Sequence, residues 1–367
     1  MRTTVLTWSL IIAVVCSAQS ARAQGQDWLG LGQSPDGWQS SDGSGDFADD
    51  PDISADAPSF IRPRYWFLPP KFETYFQADV LYLARFSDAG QQPIAVDLSS
   101  NTTVMSTNDA RLSNTWRPGM MFTLGVNLDQ IAQVEATYWG LNTWRNGASV
   151  NIPAPPPLTG RLGLAGDLQT HTTDFEFADR MSIDYVARMN NAEINYKQMI
   201  NGVTLLGGVR YFRLLETFDI NSQSASFGTS SDYNVTTVNN LVGAQFGLGY
   251  TQEMGPLNIG ILAKIGPYLN AVHQSTLLQD FGNSLTLRNY SKDGMPVSTL
   301  GEVQVNALYR VTDWLSVHAG YRFFWIQNLA LAPDQLDLTN SAVGTKILNS
   351  HNHLFLQGFN AGAEIRW

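Results

Sequence analysis

The sequence predicts an all-β protein: a transmembrane antiparallel up-and-down β-barrel of about 10 strands, with 12 as the alternative count, short periplasmic turns and long extracellular loops. Three observations predict it. Apolar residues recur at every second position from Phe72 to Trp367, short and long connectors alternate along the chain, and only 15% of the 367 residues are charged although 11% are aromatic. Soluble domains carry nearer a quarter charged residues. Beyond the first two dozen residues no stretch approaches the ~18 consecutive apolar residues of a spanning helix. A mean hydropathy of −0.13 therefore implies apolar surface arranged by alternation. So many Trp, Tyr, Phe and Leu residues exclude disorder over the whole chain.

Residues 1–23 read as a secretory signal peptide, with Met1-Arg2, an apolar run over residues 6–15 and the small-x-small site Ala21-Arg22-Ala23 before Gln24. The residues before Cys16, Ala13-Val14-Val15, fit a lipid-attachment site poorly. Cys16 is the single cysteine, so cleavage after Ala23 leaves a chain held by burial and backbone pairing without disulfides. Residues 24–70 form an acidic, flexible leader: eight aspartates face only Arg62 and Arg64, a net of −6. Their spacing matches no EF-type calcium loop.

The barrel is assigned to residues 71–367. Phe72, Thr74, Phe76, Ala78, Val80, Tyr82, Ala84 and Phe86 share one parity of the first strand, against Glu73, Gln77, Asp79 and Arg85 on the other. Trp116, Met120, Phe122, Leu124, Val126 and Leu128 mark the second strand, and Val134, Ala136 and Tyr138 the third. Met181, Ile183, Tyr185 and Met189 open the fourth, whose phase then passes to Ala192, Ile194 and Tyr196, predicting a bulge after Asn190-Asn191. Val203, Leu205, Val209 and Tyr211 mark the fifth, Val242 to Tyr250 the sixth, and Leu257 to Ile265 the seventh. The eighth follows Val303, Val305, Ala307 and Tyr309, the ninth Leu315 to Trp325, and the tenth Phe355 to Trp367.

Short links near residues 129–131, 199–201, 252–256 and 311–313 alternate with long ones at 88–115, 145–180, 218–234, 273–296 and 327–353. An outer-membrane barrel sorts its connectors by end in this way, with an even strand number and both termini on the short-turn side. Sandwiches and propellers have no reason to. Charge placement agrees, because a Lys or Arg facing lipid at mid-depth costs ~2–4 kcal/mol. The polar parity carries a charged ladder predicted to face the lumen: Glu73, Asp79, Arg85, Arg117, Glu135, Lys264, Glu302, Arg322, Glu364 and Arg366. Arg213, on the apolar parity near a long loop, is the exception. Inward Gly119, Gly125, Gly243, Gly247 and Gly249 imply either a wider bore or tight strand curvature.

The closing segment Phe359-Asn360-Ala361-Gly362-Ala363-Glu364-Ile365-Arg366-Trp367 resembles the final strand of outer-membrane barrels. That resemblance implies that Phe359, Ala361, Ala363, Ile365 and Trp367 form the signal read by the barrel-assembly machinery. Tyr75-Phe76-Gln77-Ala78-Asp79-Val80-Leu81-Tyr82-Leu83, then Ala192-Glu193-Ile194-Asn195, Leu206-Gly207-Gly208-Val209-Arg210-Tyr211-Phe212-Arg213-Leu214 and the C-terminal strands are similar to the beta-barrel porin-7 family over roughly residues 71–367. The family implies a fold and an outer-membrane location, and offers no catalytic residue to carry over.

Little in the sequence argues for chemistry. His351-Asn352-His353 offers two metal ligands without an evident third, and the inward pair Ser316 and His318 fits a lumen hydrogen-bond network better than a nucleophile. Asp219, Asp280, Asp334, Asp337 and His273 are the residues from which a rim hydrolase would be built. Prolines 153, 155, 156 and 157 stiffen an outer loop. No cofactor, metal or nucleic-acid partner is expected. The expected role is that of a non-enzymatic outer-membrane barrel, structural or surface-binding through its long loops, its narrow lumen largely filled by charged side chains. A small-solute diffusion pore is the alternative, with an outer-membrane hydrolase or a soluble secreted β protein behind it. The expected partners are outer-membrane lipid, the assembly machinery and an unidentified surface ligand.

Overall fold

The computed structural model describes residues 73–367 apart from positions 130, 153–160, 171, 173 and 225–227. The signal peptide, the acidic leader and the four loop prolines lie outside the described residues. The strands are β1 (Glu73–Ser87), β2 (Pro93–Asp97), β3 (Thr102–Ser106), β4 (Thr115–Asn127), β5 (Ala132–Asn151), β6 (Leu162–Leu164) and β7 (Arg180–Ile200). They continue as β8 (Val203–Ser224), β9 (Thr229–Met254), β10 (Leu257–Asp280), β11 (Leu285–Gly294), β12 (Val297–Arg310), β13 (Leu315–Leu329) and β14 (Asn352–Arg366). The described residues contain no α-helix.

Ten strands close one antiparallel barrel in the order β1-β4-β5-β7-β8-β9-β10-β12-β13-β14. Strand β14 returns to β1 in register from Tyr75↔Arg366 to Ser87↔Leu354. Strand β11 adds to the outer stretch of β10 alone, from Val272 to Asp280, while β2, β3 and β6 form a small separate sheet within the long connectors. The short connectors share one end with the start of β1 and the finish of β14. The tightest, Asn201-Gly202, has φ of 52° and 80° at its two residues, the left-handed pair that a two-residue hairpin requires and that Asn-Gly supplies.

Two segments expected as loops are largely strand. Residues 218–224 and 229–234 are the paired tips of β8 and β9, and residues 273–296 hold the outer third of β10 together with β11. Likewise β5 runs on to Asn151. Their outward residues are mostly polar, among them Asp219, Asn221, Asp232, Asn234, His273 and Ser275, so the regular apolar alternation that marks the lower strands is missing from that face. It persists on the inner face, as Phe218, Ile220, Tyr233 and Val235, all fully buried.

The two faces of the long strands exchange character partway along. On β8, Val203, Leu205, Val209 and Tyr211 face outward, and Arg213, Thr217, Asp219 and Asn221 continue the same face; the inward face passes from Thr204 and Arg210 to Phe212, Leu214, Phe218 and Ile220. Strand β7 changes from outward Ala192, Ile194 and Tyr196 to Arg188, Asp184 and Ser182, with Glu193 and Asn195 giving way inside to Met189, Tyr185, Ile183 and Met181. On β9 the outward Val242 to Tyr250 set meets Asn240, Thr236 and Asn234. The exchange is aligned across strands, since Ala192 pairs with Tyr211 and Tyr211 with Val242, while the next row pairs Asn190 with Arg213 and Arg213 with Asn240.

This exchange corrects the bulge expected after Asn190-Asn191. Strand β7 pairs with β8 without a register shift from Ile200↔Val203 to Arg180↔Gln223. Met181, Ile183, Tyr185 and Met189 lie on the inward parity throughout, so the change of apolar phase is a change of face. A bulge does exist, on the partner strand: the β5–β7 register shifts between Gly140 and Asn142, and Leu141, at φ 68°, is left 66% exposed.

Strands β7 to β10 are 21, 22, 26 and 24 residues long, against 13 to 15 for β1, β4, β12, β13 and β14. A spanning strand needs only ~9–11 residues. The outer halves of β7–β10, flanked by the ends of β5 and β11, thus form a palisade that rises beyond the shorter strands. Its concave apolar face is covered by the connectors after β1, β5 and β13: Ile94, Leu112, Leu164, Leu331 and Leu336 share one buried cluster with Met181, Phe218, Val235 and Leu278. Each such side chain is worth ~1.5–3 kcal/mol on burial.

One strand can test this arrangement. In refolded protein titrated with urea in phosphatidylcholine vesicles, Val209→Lys is expected to cost about 2–4 kcal/mol, Leu214→Lys more than about 4 kcal/mol, and Gln223→Lys less than about 0.5 kcal/mol. Equal costs at all three positions would contradict the exchange of faces.

Candidate functional site

The lumen and the cap above it hold nearly all of the buried polar chemistry, which falls into layers. At the short-turn rim, Glu73, Arg310, Asp313, Arg366 and Trp367 line an open recess of about 280 Å³. Just inside, Glu135 accepts a hydrogen bond from the Tyr75 hydroxyl and pairs with Lys197, and Glu364 accepts from Gln77 Nε2 and Arg366 Nε, both at 2.5 Å. Higher up, His318 Nε2 lies 2.5 Å from Asp79 Oδ1, which also accepts from Asn360 Nδ2 at 2.9 Å.

Five charged groups meet in the middle of the bore. Arg210 on β8 pairs with both Glu193 on β7 and Glu302 on β12; Lys264 on β10 reaches Glu193 at 2.9 Å and Glu302 at 2.8 Å; Arg322 on β13 reaches Glu302 at 3.1 Å. Gln245 Nε2 donates to Glu193 at 2.7 Å. Bonds between β8 and β12 cross the lumen, because β9 and β10 stand between them in the wall. Directly above, Phe212 and Phe324 follow Arg210 and Arg322 on their strands and meet Trp139 at 6.0 and 5.2 Å between ring centroids, an aromatic floor from three sides of the barrel.

A second buried bridge supports the cap. Arg85 on β1 pairs across the lumen with Glu216 on β8, both side chains 0% exposed, and donates to Tyr185 Oη at 3.1 Å. The other Glu216 oxygen accepts the Ala332 amide at 2.9 Å, which anchors the 3-10 turn Ala332–Gln335 of the last long connector. Asn239 grips the same connector twice, donating to Ala330 O at 2.8 Å and accepting from Ala330 N at 2.9 Å. Tyr233 donates to Asp337 O at 2.8 Å, and Arg288 on β11 donates to the carbonyls of Asp337, Thr339 and Ser341. The connector after β5 is fixed by Asp174, which accepts from Thr229 Oγ1, Ser231 Oγ and the Gly282 amide at 2.6 to 2.7 Å.

Three aspartates of these connectors show how the cap is tuned. Burial pushes Asp337 up, but hydrogen bonds from Thr339, Thr345 and Lys346 overcome it and hold the carboxyl well below its ordinary value. Asp97 is likewise held low by Arg161 and Ser99, which tie the small sheet together. Asp334 goes the other way: burial pushes it up to about 6, opposed by the Gly90 amide and reinforced by the nearby charges of Asp88 and Glu216.

Of the predicted ladder, Asp79, Arg85, Glu135, Lys264, Glu302, Arg322 and Glu364 point into these layers, whereas Glu73 and Arg366 stand at the rim. Arg117 donates to the carbonyls of Trp116 and Arg145 at the outer end of β4. Glu193, Lys197, Arg210 and Glu216 were absent from the ladder. Their parity was available, since Arg210 and Glu216 alternate with outward Val209 and Tyr211, but the supposed bulge obscured β7. The inward glycines make room for neighbours: a Cβ on Gly125 would strike the Tyr75 ring, one on Gly243 the Pro267 carbonyl and then Tyr268, and one on Gly119 the Asn142 amide. Phe359, Ala361, Ala363 and Ile365 lie on the outward parity of β14, beside the closing seam.

The hydrolase candidates are scattered. Asp219 and His273 face outward, the latter 2.7 Å from Asp293, while Asp280 binds the Asp174 amide inside and Asp334 and Asp337 belong to the cap. His318 is bonded to Asp79, and His353 lies 2.7 Å from Asp88. Among the described residues no group of three metal-ligating side chains converges.

No family model and no curated protein matches the chain. Solved structures similar to it include the outer membrane protease OmpT from Escherichia coli, at 10% identity over 81% of this chain and 97% of that one, with a TM-score of 0.45. Neisserial surface protein A matches at 11% identity over 80% and 96% of the two chains, TM-score 0.27, and the P. putida toluene transporter TodX at 8% over 81% and 90%, TM-score 0.29. Likeness at this level concerns the barrel and carries nothing about activity.

Two predictions follow from the layers. Arg85→Leu leaves Glu216 buried without its cation and is expected to cost about 3–5 kcal/mol, whereas Arg85→Leu/Glu216→Leu recovers most of that loss; additive losses in a urea double-mutant cycle would contradict the pairing. Because Asp334 binds its proton more tightly folded than unfolded, stability is full below the ordinary aspartate range and declines as pH rises through about 6. Asp334→Asn should therefore raise the melting temperature at pH 7.5 and leave it unchanged near pH 3.5; a constant offset at both pH values would contradict the assignment.

Proposed function

We propose that this chain is a bacterial outer-membrane β-barrel with a closed lumen, whose role is structural or surface-binding and is carried by the palisade and its cap. The location rests on the outward belt. On β8 it runs from Val203 to Tyr211 without a charged residue, and nine residues of a tilted strand rise about 20–25 Å, close to the apolar band of such barrels. The signal peptide expected at residues 1–23 agrees with this location, as does the outward apolar parity of β14, which suits recognition by the barrel-assembly machinery.

The observation that carries the closed lumen is the succession of ionic layer, aromatic floor and apolar cap across one bore. Ten strands enclose little more than the eight-stranded barrels whose own side chains fill them. Here Arg210, Lys264, Glu193 and Glu302 are all buried, and the connectors above them bury a further apolar core. A diffusion pore would need the reverse, a polar and hydrated path from rim to rim. The residues singled out for hydrolysis lie on different faces, so catalysis is not part of the proposal.

Planar-bilayer recording of the refolded protein tests the closed lumen, with no reproducible conductance steps expected; regular steps would overturn it in favour of the pore. A gel run with and without boiling tests the membrane barrel: faster migration of the unboiled protein supports it, and identical migration together with a soluble fraction would end it.

A further inference from the structure

Arg213, the one cation that broke the charge pattern, has a neighbour that explains it. Asn190 pairs with Arg213 across β7 and β8, and Arg188 pairs with Leu215, so Arg188 and Arg213 are diagonal neighbours on the same outward face, roughly 7–8 Å apart. Both are exposed, and neither forms an ion pair among the described residues. Arg145, on the adjoining β5, is by contrast held by Asp184 through two bonds at 2.8 and 2.7 Å. The other outward carboxylates of this wall are engaged elsewhere, Asp219 by Asn234 and Asp232 by Asn221 and Asn283.

Arg213 sits on the first polar row above the apolar belt, between Asn190 and Asn240, and Arg188 one row higher, opposite Leu215. Exposed Ile194, Val209, Tyr211 and Val242 lie immediately below, and Tyr138 and Tyr211 donate to Asn190 and Asn240 at that level, at 2.9 and 2.8 Å. Two guanidinium groups side by side repel each other unless an anion lies between them, and guanidinium matches phosphate through paired N–H donors. An apolar wall below and two free cations above together fit an amphiphile with an anionic head.

We propose that Arg188 and Arg213 bind the phosphate groups of an outer-leaflet glycolipid whose acyl chains lie along Ile194, Val209 and Val242. This rests on the membrane location proposed above. The test uses the full chain in phosphatidylcholine nanodiscs, with diphosphoryl lipid A as probe and native mass spectrometry counting the bound lipid. Arg188→Gln/Arg213→Gln should weaken lipid A binding by about tenfold or more, and lipid A stripped of its phosphates should bind the unaltered protein as weakly as the variant binds the intact lipid. Equal binding by the variant, or equal binding of the stripped lipid, would overturn the proposal. Displacement by inorganic phosphate at an equal concentration would also overturn it, because a head group alone lacks the apolar contact. Vesicle flotation separates the two claims: insertion with unchanged lipid A binding by the variant defeats this inference alone, whereas failure of the unaltered chain to insert defeats the location on which it rests.

Discussion

A β-strand has two faces and a period of two, and it keeps that period when the medium around it changes. This constraint organises the whole molecule. Where the outer face meets lipid, the apolar residues must point outward and the polar ones inward; where the same strand continues into water, the assignment must reverse or leave an apolar wall exposed. Strands β7 to β9 reverse it along one aligned row, at Ala192, Tyr211 and Val242. Below that row the lumen holds ions and hydrogen bonds. Above it, the sheet has an ordinary hydrophobic core.

The loops follow from the same reversal. An apolar concave face above the belt requires a cover, and the connectors after β1, β5 and β13 supply it with Ile94, Leu112, Leu164, Leu331 and Leu336. Covering brings backbone into a dry interior, where each amide and carbonyl needs a partner. Asn239, Tyr233, Arg288 and Glu216 meet that need for the last connector through side chains placed on the palisade and on β11. The buried Arg85–Glu216 bridge therefore joins the short side of the barrel, the tall side and the cap at one point. Its specificity is geometric, because an uncompensated charge there costs more than the pair contributes.

The barrel itself was legible because the outward apolar residues advertise their parity: Phe76, Val80, Tyr82, Val209 and Leu248 are all exposed on the outer face. The ten strands and their closure follow from that signal. Other features were hidden for a definite reason. Met181, Ile183, Tyr185 and Met189 carry the same alternation as a lipid face, and sequence alone does not say which side of a strand meets which medium; the change of face on β7 therefore resembled a bulge. The tips of β8 and β9 do not read as strand in the sequence because their outward residues are polar, although Phe218, Ile220, Tyr233 and Val235 still alternate inside. Glu193, Arg210 and Glu216 were within reach once parity was carried along each strand without interruption. Which of them meet across the bore depends on strand order and depth, which a linear pattern does not encode.

The exchange of faces can be measured most directly by single-cysteine scanning of β8, from Val203 to Ser224, in a Cys16→Ser background reconstituted in vesicles that carry a lipid-borne quencher. Each site is probed with a fluorescent label and with a water-soluble thiol reagent. Odd positions from 203 to 211 should be quenched by lipid and shielded from the water-soluble reagent. Odd positions from 213 to 223 should react freely with it, and even positions above 212 should stay protected from both. Lipid quenching that continues past Arg213, or free reaction at positions 214, 218 and 220, would contradict the account.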